Sequence, residues 1–346
     1  MATPVRKISF RESQIEMAHG AGGKASRRLV EGLFAPLLFG SSQGPLGDAA
    51  HIQINGTRLA MTTDSFVVKP LRFPGGSIGE LAINGTVNDL AVSGARAEAI
   101  VVTFVLEAGL PTEVLEAEVR AMGQAAEKAG VRIAGGDTKV VEHGKADHMY
   151  ITTTGIGRLL SGVEISPRSV RPGDKVLLSG PIGDHGITIL LARGDLDIEA
   201  ELHSDTRSVF PLVQGLVNAA GSGVRWMRDP TRGGVATSLN ELARDCGLGI
   251  ILFEEKIPVR DTVRGACELL GLDPLHIANE GQFLAIVSSG LAEAALQDLR
   301  AMPGGEEAEM IGEVREQPES CVLVTTLYGG SRIVDMLVGD PLPRIC

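Results

Sequence analysis

Three aspartates in the first half of the chain could together hold a magnesium ion. Asp64 ends a strand-like segment in TTDS, Asp89 lies in NGTVND, and Asp137 lies in GGDTK. Considered alone, Asp64 is slightly better explained as a residue that caps a turn, and Asp137 is ordinary turn chemistry. Three carboxylates together are typical ligands through which Mg²⁺ bridges a polyphosphate. The sequence therefore predicts that the chain binds ATP with Mg²⁺ and that Asp64, Asp89 and Asp137 are the metal ligands.

Two glycine-rich segments are candidates for contact with phosphate. In residues 19–24, glycines allow the backbone to approach a phosphate closely, and a lysine adds positive charge. This is not a Walker A loop, because alanine stands at positions 18 and 25, and a lone glycine cluster is more often a flexible turn. Residues 135–139 combine two glycines, a carboxylate and an ammonium group in a predicted turn. The predicted phosphate contacts are Gly22, Gly23, Lys24, Gly135, Gly136 and Thr138.

An unusual helix carries two asparagines. Asn84 and Asn88 are four residues apart and therefore share one face of the predicted helix. Asparagine, glycine, threonine and aspartate are poor choices for a helix interior. A solvated surface would explain them, but strongly apolar residues flank the segment on both sides. We therefore predict that this face has a polar task.

The second half of the chain carries a candidate general base. Glu280 lies in ANEG, a glycine-flanked turn ahead of a short apolar strand, where a base could sit. A carboxylate that only stabilises the turn is the simpler alternative. Residues 227–234, MRDPTRGG, read as a loop that leads into a helix, which is a typical anion site.

Alternating strands and helices are predicted to position these side chains, which indicates an α/β or α+β fold with layered sheets and helices. A polar, aperiodic stretch with two prolines marks a boundary at residues 161–174. The predicted strands are 58–63, 99–106, 149–156, 175–179, 248–253, 283–287 and 321–326, and the predicted helices are 77–93, 112–129, 184–192, 209–220, 234–245 and 291–301. The predicted units are a glycine-rich N-terminal segment with a phosphate loop (1–50), an ATP-binding domain (51–160), a linker (161–174), a C-terminal α/β domain (175–338) and an extended tail (339–346).

Composition excludes several classes of protein. The 346 residues are 44% apolar, which is enough for a large buried core. The net charge of −11 argues against a nucleic-acid-binding protein. The chain has neither a signal-peptide core nor an apolar run of about 18 residues, so we expect no membrane association and a cytoplasmic location. Four scattered cysteines give no zinc motif and suit a reducing compartment.

Taken in order, the motifs resemble a known superfamily. HGAGGKA, TTDSFVVKPLRFPGGSIGELAINGTVNDLAVSGA, AGGDTKV, MRDPTRGG and ANEG are similar to the ATP-binding superfamily of aminoimidazole ribonucleotide synthetase and selenophosphate synthetase. They run from residue 19 to residue 281. The final PLPRIC resembles the end of the HypE family of NiFe-hydrogenase maturation proteins. The selenophosphate branch is disfavoured, because positions 19–24 contain no cysteine.

This resemblance implies a two-domain aminoimidazole ribonucleotide synthetase-like fold with a flexible C-terminal tail. Domain 51–160 would also serve dimerisation, pairing with its copy in a homodimer. The implied cofactors are ATP and Mg²⁺, and the implied partners are the carbamoyltransferase HypF and a HypC–HypD complex. The residue roles carried over are Asp64, Asp89 and Asp137 at metal and phosphate positions, Asn84 and Asn88 on the nucleotide-site helix, and Lys139 and Glu280 near the reacting group. Ser77 departs from the aspartate often found after the Pro-Gly-Gly turn, so no ligand role is assigned to it.

The last residue, Cys346, has two very different interpretations. By itself it is an incidental thiol at a frayed end. The resemblance instead makes it the catalytic carrier of a carboxamide group, which ATP-dependent dehydration would convert to a thiocyanate that supplies a cyanide ligand. Two alternatives need no carrier cysteine: another superfamily synthetase or kinase that acts on a small molecule, and a nucleotide-gated scaffold.

Overall fold

The computed structural model describes residues 9–39, 46–194, 200–339, 342 and 344–346. A first sheet is built from the first half of the chain, and a second, larger sheet is built from the second half. The strands of the first half are β1 (Ala50–Ile54), β2 (Thr57–Phe66), β3 (Arg72–Phe73), β4 (Gly76–Ser77), β5 (Ala95–Glu107), β6 (Arg132–Val141) and β7 (Met149–Leu159). The helices of the first half are α1 (Gly23–Leu29), α2 (Ala35–Leu38), α3 (Ile78–Val92) and α4 (Thr112–Ala129).

The first sheet has five strands in the order β1–β2–β7–β5–β6. Only β5 and β6 run parallel, and the other pairs are antiparallel. Helices α3 and α4 cover one face, where alternating residues such as Ala60, Phe66 and Ile151 are buried. On the other face Thr63 bonds to Thr154 and Ser65 to Thr152, and Val101 is exposed. This open face and the edge strand β6 have no cover within the described chain.

The second sheet has seven strands in the order β14–β13–β10–β12–β8–β11–β9. Helices α6 and α9 pack on one of its faces and α7 packs on the other, so strands such as β11 are buried throughout. The strands are β8 (Lys175–Leu178), β9 (Val224–Arg228), β10 (Gly249–Phe253), β11 (Leu284–Val287), β12 (Glu309–Arg315), β13 (Val322–Thr325) and β14 (Ser331–Val334). The helices are α5 (Asp184–Ala192), α6 (Phe210–Ala220), α7 (Gly234–Cys246), α8 (Asp261–Leu270) and α9 (Ser289–Arg300).

Helix α3 lies between the two halves. It packs on β2, β5 and β7 of the first sheet and on α6 and β9 of the second half. Leu81, Ile83 and Leu90 are fully buried, and so are the polar side chains of Thr86 and Asn88. A helix buried on all sides has no solvated face, so its polar residues must meet partners inside the protein.

The predicted fold class is confirmed, and the six predicted helices lie within a residue or two of their positions in the structure. Helices α1, α2 and α8 were not predicted. One local prediction is wrong. Residues 135–139 lie inside the ten-residue strand β6 and do not form a turn. Glycines mislead here, because their lack of side chains is compatible with an edge strand as well as with a turn. None of the helices in the described part of the chain combines the length and apolar character that a bilayer crossing requires.

Candidate active site

Three carboxylates lie together at the junction of the two halves. Asp48 precedes β1, Asp89 lies on α3, and Asp229 directly follows β9. One oxygen atom of each lies within 4.8 Å of the others. We call these three residues the acidic cluster. Because it draws on both halves of the chain, the cluster exists only when the two sheets are assembled around α3.

The acidic cluster carries more negative charge than its surroundings neutralise. Burial raises the pKa of Asp89 and Asp229 well above the usual value, and the neighbouring carboxylates raise both further. Arg228 supplies one counter-charge, with its Nε atom 3.0 Å from Asp48 Oδ1, but it also bonds to Glu241. Three converging carboxylate oxygens with excess charge form a donor set that suits Mg²⁺. The residues present therefore fit the ion that the sequence predicts.

Strand β2 lines one side of the cluster. The Thr62 hydroxyl lies 2.7 Å from Asp89 Oδ2, which orients that carboxylate. Asp64 lies two residues further along and accepts a hydrogen bond from the backbone N–H of Ser65 at 2.9 Å. Burial raises the pKa of Asp64, and the Arg232 guanidinium opposes this shift. Asp64 is therefore an electrostatic neighbour of the cluster, while Asp48 and Asp229 join Asp89 as potential ligands.

Hydrogen bonds hold the backbone of Glu280, which lies within electrostatic reach of Asp229 in the cluster. Its backbone N–H donates to Asp205 Oδ1 at 3.0 Å, and its side chain is 3% exposed. A Cβ atom on Gly85 of α3 would lie 3.9 Å from Glu280 Oε2 and only 2.9 Å from the Phe66 ring. Burial raises the pKa of Glu280 well above the usual value, and the charges of Asp229 and Asp64 add to this effect. A carboxylate with a raised pKa in a buried cleft is suited to accept a proton.

The two predicted nucleotide-binding asparagines instead join the halves of the chain. The Asn88 amide group donates to the carbonyl oxygens of Arg207 at 2.9 Å and Glu280 at 3.2 Å, and its oxygen accepts from Val209 N–H at 2.8 Å. Asn84 Nδ2 lies 3.4 Å from the Thr206 hydroxyl. Both amide hydrogens of Asn88 are thus used inside the protein. The polar task of this helix face is to hold Glu280 and its neighbours against α3.

The end of the chain is docked inside this cleft. Val67 N–H donates to the backbone oxygen of Cys346 at 3.0 Å, and His185 Nε2 lies 2.7 Å from the Ile345 carbonyl oxygen. Arg344 forms an ion pair with Asp147 at 2.5 Å. Cys346 is 9% exposed and belongs to the same apolar core as β2 and α5. These contacts hold Cys346 in place, so the structure does not show a frayed end at this residue.

Arg232 connects Cys346 to the acidic residues. The charge of Cys346 is the largest influence that raises the pKa of Arg232, followed by the charges of Asp64, Glu280 and Asp89. Arg232 also donates from Nη1 to the Gly20 carbonyl at 3.1 Å. One guanidinium group is therefore within electrostatic reach of the docked cysteine, the candidate base and the acidic residues at once.

The predicted phosphate loop meets the base of the tail. The N–H groups of Lys24 and Ala25 donate to the carbonyls of Leu337 and Val338 at 2.9 and 3.1 Å. The Lys24 ammonium group pairs with Asp335 at 2.5 Å. Gly22 and Gly23 have φ angles of 79° and 73° and begin α1. In this arrangement the donors of the loop hold the polypeptide that leads into the tail, so its contact with phosphate stays a prediction.

Residues of β6 lie apart from the cluster within one subunit. In the first sheet, Asp64 on β2 is paired with Thr153 on β7. Thr153 is paired with Val102 on β5, and Val102 is paired with Gly136 on β6. Three strand spacings amount to roughly 14 Å. Asp137 follows Gly136 and pairs with Lys139 at 2.5 Å in solvent. Asp137 cannot share one metal ion with Asp64 and Asp89 of the same subunit, and Gly135, Gly136 and Thr138 lie with it on the exposed edge.

Comparisons with known proteins identify the family. The N-terminal domain of the AIR synthase related protein family matches residues 46–159, and the C-terminal domain of that family matches residues 171–324. The carbamoyl dehydratase HypE of Azotobacter vinelandii is 48% identical over 340 residues, which cover 98% of this chain and 99% of the relative. The chain belongs to the HypE family of carbamoyl dehydratases.

Solved HypE structures share the fold. A crystal structure of a HypE–HypF complex aligns with a TM-score of 0.84 at 44% identity, covering 89% of this chain and 99% of that one. A crystal structure of HypE in complex with ATP aligns with a TM-score of 0.80 at 45% identity, covering 95% of this chain and 99% of that one. The resemblance read from the sequence motifs is therefore confirmed.

In this member of the HypE family, sequence reasoning missed Asp48 as a cluster residue and left Asp229 and Arg232 without individual roles. Asp48 lies in a stretch without periodicity, so nothing in the sequence marks it. Asp229 and Arg232 belong to the MRDPTRGG loop, which was interpreted only as a general anion site. The presence of an aspartate in that loop was the available signal, because a carboxylate is a poor component of an anion site.

Proposed function

We propose that this chain is an ATP-dependent carbamoyl dehydratase that acts on a carboxamide carried by its own Cys346 and converts it to a thiocyanate. The observation that carries the proposal is the docking of the last residue, Cys346, where Val67 holds its backbone and His185 holds the backbone of Ile345. The relative from Azotobacter vinelandii is a carbamoyl dehydratase, which supports the same activity here.

The chemistry requires activation of an unreactive oxygen. The carboxamide oxygen on the sulfur-bound carbon attacks the γ-phosphorus of ATP, and ADP leaves. Asp48, Asp89 and Asp229 would hold Mg²⁺, which when bound offsets the charge of the phosphates. Arg232 is placed to neutralise negative charge near the sulfur-bound group. The solved HypE–ATP complex supports binding of the nucleotide.

Two protons must then leave the amide nitrogen. Glu280 is the proposed base, because its buried carboxylate has a raised pKa and a fixed backbone. Loss of the first proton gives an O-phosphorylated imidate. Loss of the second accompanies cleavage of the carbon–oxygen bond, so that phosphate departs and a carbon–nitrogen triple bond forms. The net change is removal of one water, whose oxygen leaves in the phosphate.

Asp137 and Lys139 would act across a homodimer. They lie on the exposed edge strand β6, roughly 14 Å from Asp64 in the same subunit. The open face of the first sheet offers exposed apolar residues, among them Met61 and Val101. Pairing of this face with its copy would cover these residues. It would also bring the partner subunit's Lys139 towards a site from which it is otherwise remote.

The proposed protein partners follow from the reaction. Cys346 must receive a carbamoyl group, and the solved HypE–HypF complex of a relative supports HypF as the carbamoyltransferase that supplies it. The thiocyanate must be passed on, and we propose a HypC–HypD complex as the acceptor that takes the cyanide to iron. The docked Cys346 is 9% exposed, so the tail must leave the cleft for either exchange.

Intact-mass spectrometry tests the proposed function. The purified protein is first carbamoylated by HypF with carbamoyl phosphate, separated from HypF, and then given ATP and Mg²⁺. We expect Cys346 to lose the mass of one water only when hydrolysable ATP is present. A carboxamide that persists on Cys346 with ATP, or that forms on another cysteine, would falsify the assignment.

A further inference from the structure

A buried histidine holds the docked tail. His185 lies in the first turn of α5, is 0% exposed and packs edge-on against the Phe73 ring at 5.7 Å. Its Nε2 atom lies 2.7 Å from the Ile345 carbonyl oxygen, and its Nδ1 atom lies 2.8 Å from the Ser204 hydroxyl. A carbonyl oxygen only accepts, so Nε2 carries the hydrogen and Nδ1 accepts from Ser204. The ring therefore has one defined tautomer.

Burial keeps this ring neutral. It lowers the pKa of His185 to about 4, while the hydrogen bond to the Ile345 carbonyl opposes the shift. A neutral imidazole with both nitrogens engaged has a fixed orientation. Withdrawal of the tail would leave a buried Nε2–H without its acceptor, which is unfavourable. His185 therefore favours the docked state of the residue directly before Cys346.

Ser204 connects this histidine to the candidate base. The Ser204 hydroxyl also accepts from the Thr206 N–H at 3.1 Å, and Ser204 N–H donates to the Pro74 carbonyl at 2.9 Å. The next residue, Asp205, accepts the Glu280 N–H at 3.0 Å. The segment that fixes the tautomer of His185 is therefore the segment that fixes the backbone of Glu280.

We infer that His185, oriented by Ser204, is a positioning residue that holds the Ile345 carbonyl and thereby fixes the docked position of Cys346. The inference rests on the proposed function in one respect, namely that the docked tail is the state in which Cys346 reacts. Docking itself involves no turnover. It is measured by the reactivity of Cys346, so a failure of the inference can be told apart from a failure of the proposed function.

The test compares alkylation of Cys346 in full-length variants. Iodoacetamide modifies the thiol when the tail leaves the cleft, and peptide mass mapping separates Cys346 from the other cysteines. His185→Phe keeps a ring against Phe73 but cannot donate to Ile345. We expect its Cys346 to react roughly tenfold faster than in the wild type, the change that loss of one buried hydrogen bond produces. His185→Gln, which retains an N–H donor, is expected to restore most of the protection.

Two further variants make the test decisive. His203→Gln changes an exposed histidine in the same segment and is the matched control, with wild-type reactivity expected. Ser204→Ala keeps the imidazole and is expected to give a smaller increase, which provides a readout if His185→Phe does not fold. With carbamoylated protein, His185→Phe is expected to lower kcat for phosphate release and to leave KM for ATP unchanged. The inference is overturned if Cys346 is alkylated at the same rate in wild type, His185→Phe and Ser204→Ala. It is also overturned if His203→Gln raises the alkylation rate as much as His185→Phe does.

Discussion

The Asn88 amide group donates to the Glu280 carbonyl oxygen at 3.2 Å, across 192 positions of the sequence. This bond joins α3, which carries Asp89, to the turn that carries the candidate base. The asparagine lies four residues from Asn84 on the same helix face, and neither side chain is exposed. The polar residues that weaken the helix intrinsically thus hold together the two halves that form the site.

Asn88→Ala is expected to lower both the stability of the protein and its dehydration activity. The change leaves the buried carbonyls of Arg207 and Glu280 and the Val209 N–H without their partner. Each buried group left without a partner costs about 1–3 kcal/mol, so the free energy of unfolding should fall by at least that amount. Urea denaturation measures the loss, and ATP-dependent dehydration should fall with it. Asn218→Ala, on the exposed side of α6, is the control and should alter neither.

Asp89→Asn tests the metal-binding role of the acidic cluster. The folded-state pKa of Asp89 lies well above its unfolded value. The stability that this group contributes is therefore fully present below the unfolded pKa and is lost as pH rises through the folded pKa. Thermal denaturation of the metal-free wild type should show this loss, and the variant should lack the Asp89 contribution to it.

Added Mg²⁺ should raise the melting temperature of the wild type most at mildly alkaline pH, where protons no longer compete for the carboxylates. In Asp89→Asn the apparent Mg²⁺ affinity should be at least about tenfold weaker. Asp298→Asn, which changes an exposed aspartate on α9, is the matched control. Equal stabilisation of Asp89→Asn and the control by Mg²⁺ would show that the cluster does not hold the ion.

Glu280→Gln should separate nucleotide binding from chemistry. The glutamine fits the same buried site and keeps the backbone bond to Asp205, so calorimetry should give nearly unchanged ATP affinity. Dehydration should slow by roughly a hundredfold to ten-thousandfold, the usual contribution of a general base. Glu293→Gln on the exposed side of α9 should behave like the wild type.

The pH dependence provides a second readout for the base. Burial and neighbouring carboxylates raise the pKa of Glu280, so the active, deprotonated form is lost as pH falls through that raised value. An ordinary glutamate has a pKa of about 4.3. The acid limb of kcat/KM should therefore lie at a pH above that value. An acid limb at the ordinary value, or one that is unchanged in the residual activity of Glu280→Gln, would contradict the assignment.

Mixed dimers test the role of Lys139 across subunits. Lys139→Ala and Glu280→Gln homodimers should both have activities far below that of the wild type. If Lys139 acts on the partner's site, a mixed dimer contains one site with both wild-type residues, and random mixing should restore roughly a quarter of the activity. Mixing of two variants whose residues act within one subunit restores none, so an inactive mixture would show that the two residues act together in each chain.

Periodicity predicted most of the elements, because their apolar residues follow the spacing of buried helices and strands. The site was predicted less completely. Asp89 and Glu280 could be predicted as site residues, because a carboxylate in an apolar helix or a glycine-flanked turn indicates a functional role. Asp48 could not be found, because its role arises only when the residues before β1 meet Arg228 and Asp229, about 180 positions away in the chain.

The turn predicted for residues 135–139 was wrong for a different reason. Glycine, aspartate and lysine are ordinary turn residues, and the sequence contains no sign that Gly135 and Gly136 lie in an edge strand. Likewise the sequence predicted a polar task for Asn88 but not its partners Arg207, Val209 and Glu280. A pattern marks a polar helix face and cannot tell whether a ligand or another segment meets it. Long-range contacts are set by packing that single-sequence patterns do not encode.

The most direct test follows the oxygen atom of the carboxamide. Cys346 is carbamoylated with a group whose oxygen is a heavy isotope, the protein is given unlabelled ATP and Mg²⁺ in ordinary water, and the released phosphate is analysed by mass spectrometry. We predict that the phosphate carries one heavy oxygen for each thiocyanate formed, because the carboxamide oxygen attacks the γ-phosphorus. Unlabelled phosphate accompanied by thiocyanate on Cys346 would contradict the account.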